Sequence, residues 1–112
     1  MIPWLIANND AASAAIAKKL AQRGVDVRPF DRDDASSIVA ALHGAPFGAL
    51  FTTPAGVAAL AAAIAGDARV CAVCVGKPTL AAASSTPFAK ASVLVPHGAD
   101  IVEFVCSLEE KA

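Results

Sequence analysis

Five short runs of apolar residues alternate along this chain with longer segments in which apolar residues recur three or four positions apart. The runs cover residues 3–7, 25–29, 47–51, 68–75 and 92–96. Continuous apolar runs of this length, bounded by turn residues, are typical of strands that are buried on both faces of a parallel sheet. The segments between the runs are long enough for helical crossovers, which require parallel pairing and right-handed connections. The pattern therefore predicts five strands alternating with five helices.

The helical segments carry start and stop signals. Ile16 and Leu20 recur at helical spacing in residues 11–23, and Gly24 closes that helix. Later helices are predicted from Ile38, Val39 and Leu42, over residues 54–65, from the turn Gly76-Lys77-Pro78-Thr79 through residues 80–85, and from Ile101, Val102, Val105 and Leu108. In that turn, as at Thr53-Pro54, the proline marks a helix start. The fourth of these is short, because the run Ser84, Ser85, Thr86 and Pro87 ends it early.

This alternation predicts a flavodoxin-like α/β fold. Its five-stranded parallel sheet has the order 2-1-3-4-5, with helices on both faces in three layers. At 112 residues the chain fits one domain of ordinary size, so we expect residues 1–112 to form a single domain.

Composition narrows the possible partners. Hydrophobic residues make up 56% of the chain and charged residues 17%, which excludes a disordered chain. No apolar run reaches the roughly 18 residues of a membrane span, and the first residues lack the basic region of a signal peptide. A net charge of −1 gives no long-range attraction to nucleic acid or anionic lipid. We expect a cytoplasmic protein with neither nucleic acid nor membrane as a partner.

The three cysteines include a pair, Cys71 and Cys74, whose spacing resembles a redox or zinc motif. Redox pairs sit at a helix start, and zinc sites need further ligands nearby. This pair falls inside the fourth strand, where residues three apart point to opposite faces. We interpret the cysteines as reduced structural thiols, and we expect no metal at this pair.

The turn after the third strand is the strongest candidate for a binding site. In the sequence Phe51-Thr52-Thr53-Pro54-Ala55-Gly56, Thr53 suits a helix N-cap and Pro54 suits the first helical position. The free amides of such a turn, together with the helix dipole, form a weak anion site. A well-made helix cap explains the same residues, so both interpretations stay open.

In sheets of this topology, ligands bind beyond the carboxyl ends of the strands, where strands 1 and 3 diverge. The residues predicted to surround that crevice are Asn8, Asn9, Asp10, Thr52, Thr53, Ala55 and Gly56, with Lys77 and His97 farther along the same edge. Asp31, Asp33 and Asp34 favour a solvated helix start over a metal site.

Other chemistries have weaker support. A cysteine or serine triad would need His43 or His97 as its base, but His43 is predicted at the opposite edge and Cys106 lies two turns into the last helix. No glycine-rich nucleotide loop is present. A response-regulator receiver would need an aspartate and a lysine where this chain has Thr52 and His97, which makes phosphotransfer improbable.

Four short motifs in succession resemble landmarks of the uroporphyrinogen-III synthase family. They are Leu20-x-x-x-Gly24-x-x-x-x-Pro29, Phe51-Thr52-Thr53-Pro54-Ala55-Gly56-Val57, Ala72-Val73-Cys74-Val75-Gly76-Lys77-Pro78-Thr79 and Val95-Pro96-His97-Gly98-Ala99. Members of that family close the linear tetrapyrrole hydroxymethylbilane into a macrocycle, as lyases of tetrapyrrole (porphyrin) biosynthesis, with no metal or organic cofactor. The resemblance implies that substrate carboxylates bind at Thr52, Thr53, Ala55, Gly56, Gly76 and Thr79.

The chain departs from that family in two respects that bear on catalysis. Family members comprise two domains of this fold with the substrate between them, and this chain has about half their length. Their proposed proton donor is a tyrosine, and this chain has none. No catalytic residue is therefore assigned.

Two hypotheses follow. The chain is either a synthase-like enzyme that is active as a dimer, or a non-catalytic binding or interaction module, including a degenerate receiver. We expect a homodimer, in which two copies could exchange their first strand-helix-strand segments with residues 30–34 as the hinge.

Overall fold

The computed structural model describes residues 2–7, 11–42, 47–63, 70–86, 92–95 and 100–111. Its strands are β1 (Trp4–Ala7), β2 (Val27–Phe30), β3 (Phe47–Phe51), β4 (Val70–Cys74) and β5 (Ser92–Leu94). Its helices are α1 (Ala11–Gln22), α2 (Ala35–Ala41), α3 (Pro54–Ala63), α4 (Lys77–Ala83) and α5 (Ile101–Lys111), and a 3₁₀ turn (Arg32–Asp34) precedes α2.

The strands form one sheet in the order β2-β1-β3-β4-β5. All four neighbouring pairs are parallel. The predicted flavodoxin-like arrangement is confirmed, because each strand returns to the sheet through a helix rather than through a hairpin.

Two hydrophobic clusters cover the two faces of the sheet. Leu5 and Ala7 of β1 belong to the cluster under α2, α3 and α4, whereas Trp4 and Ile6 belong to the cluster under α1 and α5. All four residues of β1 are buried, as expected for a strand with helices on both sides. The predicted inward residues of α5 also pack here, with Val102 and Val105 buried and Ile101 and Leu108 half-buried.

The second strand begins later than predicted, at Val27 rather than at residue 25. Gly24 has a φ of 82° and donates its amide to the Ala21 carbonyl, while the Val25 amide turns back to Leu20. These two bonds form a Schellman motif, which confirms Gly24 as the residue that closes α1. Val25 therefore belongs to the motif that ends α1 and not to β2, and its side chain is buried in the cluster under α1 and α5.

The fourth helix, α4, begins at Lys77, inside the turn Gly76-Lys77-Pro78-Thr79 where the sequence predicts a helix start with proline. Gly76 has a φ of 87° and serves as its N-cap. After α4, the hydroxyls of Ser84, Ser85 and Thr86 donate to the carbonyls of Ala81, Ala82 and Ala83 respectively. The polar run ends the helix as predicted, because its side chains compete for the carbonyls of the last turn.

A close approach in the middle of the sheet requires a glycine. Gly48 of β3 lies opposite Trp4 of β1, and Trp4 is only 2% exposed. A Cβ atom at position 48 would be 2.5 Å from Cε3 of the Trp4 ring. The indole therefore occupies the space that any other side chain at this position would need.

The outer edge of the sheet at β2 contains a proline. The Trp4 amide donates to the Asp26 carbonyl at 2.7 Å, and Trp4 and Ile6 are in register with Val27 and Pro29. In a parallel ladder with this register, the backbone of Val27 and Pro29 points away from the sheet. Pro29 has no N–H, so it removes one of the donors that this edge would otherwise offer.

Cys71 and Cys74 lie on opposite sides of the sheet, as predicted. Cys74 is buried in the cluster under α2, α3 and α4, and Cys71 packs against the cluster under α1 and α5. Both are free thiols, as is Cys106. Within the described ranges, no helix has both the length and the apolar character that crossing a bilayer would require.

Candidate functional site

The strand ends bring the predicted turns to one edge of the sheet. The Val75 amide donates to the Phe51 carbonyl at 2.9 Å, and the Val95 amide donates to the Cys74 carbonyl at 2.9 Å. The turns that follow β3 and β4 therefore begin side by side. Thr52, Thr53, Ala55 and Gly56 belong to the first turn, which we call the β3–α3 turn, and Gly76 and Thr79 belong to the second.

Thr53 caps α3. Its hydroxyl oxygen accepts the Gly56 amide at 3.2 Å, which is the N-cap geometry predicted from the sequence. Pro54 has no amide hydrogen, so the cap leaves the exposed Ala55 amide without a hydrogen-bond partner among the described residues. The β3–α3 turn thus has fewer unbonded backbone N–H groups than the sequence suggested. Among the described residues of the turn, the Ala55 amide remains to donate to a ligand.

Gly56 is buried, yet its surroundings leave room for a side chain. A Cβ atom here would lie 3.6 Å from the Ala7 Cβ atom and 3.6 Å from the Thr53 hydroxyl oxygen. These are ordinary van der Waals distances, and the backbone of Gly56 is helical. Neither crowding nor an unusual φ angle requires glycine at this position, unlike Gly48.

A hydrogen bond between two hydroxyl groups, one buried and one half-buried, joins α1 to the β3–α3 turn. The hydroxyl oxygens of Ser13 and Thr52 are 2.7 Å apart, and Ser13 is only 2% exposed. This contact fixes the Thr52 side chain against the first turn of α1. Sequence reasoning missed Ser13, although its spacing from Ile16 and Leu20 puts it on the inward face of α1, where a polar residue signals a buried partner.

The second turn gives its two candidate residues different surroundings. Gly76 is exposed at the N-cap of α4, with a backbone conformation that side chains rarely adopt. Thr79 is only 2% exposed and lies inside α4. A ligand at this edge can therefore approach Gly76, whereas Thr79 serves as part of the packing beneath it.

The acidic segment after β2 is explained by local capping. An Asp31 carboxylate oxygen accepts the Asp33 amide at 2.9 Å, and the Ser37 hydroxyl donates to Asp34 at 2.7 Å. The interpretation of these aspartates as a helix start is therefore confirmed. Among the described residues, no group of three or more His, Cys, Asp and Glu side chains is placed to hold a metal ion.

Several predicted crevice residues lie outside the described residues, namely Asn8, Asn9, Asp10 and His97, and so does His43. Lys77 is exposed at the first position of α4. In the part of the chain that the structure describes, this edge therefore offers the Ala55 amide, the Thr52 and Thr53 hydroxyls and the Lys77 ammonium group. Such groups bind and orient anions, and both hydroxyls are already engaged within the protein.

No family model matches this chain, and comparisons with curated proteins and with solved structures give no match either.

Proposed function

We propose that this chain is a uroporphyrinogen-III synthase-like domain that binds a small polycarboxylate, a linear tetrapyrrole, at the β3–α3 turn. The observation that supports the proposal is the start of α3, where Thr53 caps the Gly56 amide and the exposed residue Ala55 has no hydrogen-bond partner for its amide among the described residues, beside the neighbouring ends of β1 and β3. Helix starts of this kind favour a negative charge through their amides and their dipole.

One such contact contributes only about 0.3–1 kcal/mol at an exposed position. A single carboxylate would therefore bind weakly, and a polycarboxylate would gain affinity by reaching further donors along the edge. Lys77 and the backbone of Gly76 are exposed in the neighbouring turn and supply a second place for such a group.

A substitution at Ala55 tests the binding step. Ala55→Pro removes the amide hydrogen, and α4 shows that proline is accepted at the second position of a helix in this protein. Ala55→Ser is the matched control, because it keeps the amide at the same exposed position. With citrate as the probe, we expect shifts of the Ala55 and Gly56 amide resonances in the wild type and in Ala55→Ser, and loss of binding in Ala55→Pro. Unchanged resonances in the wild type would exclude the site.

Turnover of hydroxymethylbilane tests the catalytic part. We expect the macrocycle with one inverted ring to form faster than in buffer alone, and to form more slowly with Ala55→Pro. The uncatalysed rate in every sample would leave the fold and the anion site in place but would reject the synthase activity.

The second candidate is a non-catalytic flavodoxin-like binding or interaction module. It is favoured by the side chains at this edge, where the described groups are hydroxyls and one ammonium, and by the absence of tyrosine from the chain. Binding of citrate at Ala55 together with no turnover of hydroxymethylbilane would support this module instead of the enzyme.

Self-association belongs to the same proposal. Exposed alanines on α3, among them Ala58 and Ala62, provide an apolar surface that a second copy can cover. Sedimentation at tens of micromolar should give about twice the 11.2 kDa chain mass. Sedimentation at the mass of one chain would reject the dimer, and with it the version of the enzyme that needs two copies.

A further inference from the structure

A groove of about 300 Å³ runs along α1 beside the outer strand β2. We call it the α1–β2 groove. Its described lining residues are Ile6, Ala7, Ser13, Ala14, Ala17, Lys18, Ala21, Val27 and Pro29. The groove exists because the face of α1 that lines it carries only methyl groups at three positions, each about one helical turn from the next. These are Ala14, Ala17 and Ala21, and larger side chains there would fill the space.

The chemistry of this lining is simple. The walls are aliphatic, and the Ser13 hydroxyl at one end is bonded to Thr52. Among the described lining residues, Lys18 is the one that carries a charge, and it is exposed. An apolar body with a single negative group complements this arrangement, because the body covers the methyl groups while the anion pairs with the ammonium group.

The volume limits the size of the occupant. At the ~30 Å³ that a water molecule occupies in the liquid, the groove holds roughly ten non-hydrogen atoms. A protein partner would need about 800 Å² of contact on each side, which a recess of this size does not supply. We propose that the α1–β2 groove binds a small apolar carboxylate whose carboxylate group pairs with Lys18. This groove adjoins the proposed β3–α3 site, since its lining residue Ser13 is bonded to Thr52, but it uses neither the Ala55 amide nor the second turn.

Two pairs of neighbouring residues on α1 provide matched variants. Lys18 and Lys19 are both exposed, but Lys19 lies in a different cleft with Arg23, Asp100 and Glu103. Ala14 and Ala15 are both exposed, and only Ala14 lines the groove. The experiment titrates octanoate and octanol, which share a chain length and differ in charge, and follows the amide resonances of Ala17 and Ala21.

Octanoate should shift these resonances. Lys18→Gln should weaken octanoate binding about two- to fivefold, as expected for an exposed ion pair, and should leave octanol binding unchanged. Ala14→Leu should weaken both ligands about tenfold, the equivalent of roughly two buried methylene groups. Lys19→Gln and Ala15→Leu should match the wild type.

Three results would overturn the proposal. One is the absence of shifts at Ala17 and Ala21 with octanoate. Another is an equal loss of binding in Lys18→Gln and Lys19→Gln, which would show attraction to the general charge of α1. The third is a response to octanoate confined to Ala55 and Gly56, which would place the carboxylate at the other site.

Discussion

Two buried glycines of this protein should respond to the same substitution in opposite directions. Gly48→Ala would place a Cβ atom 2.5, 2.6 and 2.8 Å from three carbons of the Trp4 ring, whereas Gly56→Ala would meet nothing closer than 3.6 Å. The three Trp4 atoms belong to the fused ring system of a side chain that is only 2% exposed. The ring therefore has no free space into which it could turn.

The expected magnitudes follow from these distances. Overpacking in a core costs about 1–3 kcal/mol. Replacing glycine with alanine also restricts the unfolded chain, which stabilises the folded state by about 0.4–1 kcal/mol. Because the Cβ atom would meet a rigid, buried ring, the upper part of the overpacking range, about 2–3 kcal/mol, applies, and Gly48→Ala should lower the free energy of unfolding by roughly 1–2.6 kcal/mol. Gly56→Ala should raise it by about 0.5–1 kcal/mol, because alanine is the better helix former.

Urea denaturation followed by far-ultraviolet circular dichroism measures both variants, since fluorescence of the single tryptophan would itself change. A double-mutant cycle identifies the cause: in a Trp4→Leu background, Gly48→Ala should cost less than in the wild type. An equal cost in both backgrounds, or a Gly48→Ala protein as stable as the wild type, would refute the account of the Trp4 contact. Loss of stability in Gly56→Ala would show that the space beside Gly56 is not free.

Three further changes have defined outcomes. Thr53→Ala should lower the free energy of unfolding by about 0.5–2 kcal/mol in urea denaturation through the lost cap, and Thr53→Ser should restore most of it. Ser13→Ala should cost about 0.5–1.5 kcal/mol in the same assay, the net value of one hydrogen bond, since the half-buried Thr52 hydroxyl can turn to water, and a stability equal to the wild type would contradict the contact. Burial raises the pKa of the Cys71 thiol above its ordinary 9.0, so the unfolded chain loses this proton at a lower pH than the folded protein does. As the pH rises from below 9.0 through the folded pKa, wild-type stability should therefore fall more than that of Cys71→Ala.

The sequence was sufficient for the topology and for the features set by local chemistry. Strand number and order follow from the alternation of apolar runs with crossover segments, and Gly24 and Thr53 act within a few residues of the bonds that they determine. The turn that opens α4 could be predicted from Pro78, whereas the cap at Gly76 depends on a φ angle of 87° that composition does not reveal. The start of β2 was missed because the Val25 amide turns back to α1.

The remaining features depend on contacts between distant parts of the chain. Ser13 and Thr52 are 39 positions apart, and the pairing of Trp4 with Gly48 depends on the register between β1 and β3. A pattern read along one segment contains no information about either partner. The α1–β2 groove has the same origin, since the alanines of α1 leave a recess only where β2 lies beside them.

The two ends of the sheet oppose pairing with another strand in different ways. At β2, Pro29 takes away an outward donor, and the neighbouring Asp26 and Arg28 side chains pair with each other in solvent. At the other end, β5 has only three residues, and a strand this short is a poor template for a further strand. Growth into a fibre through the sheet needs two competent edges, and the proline at β2 opposes it.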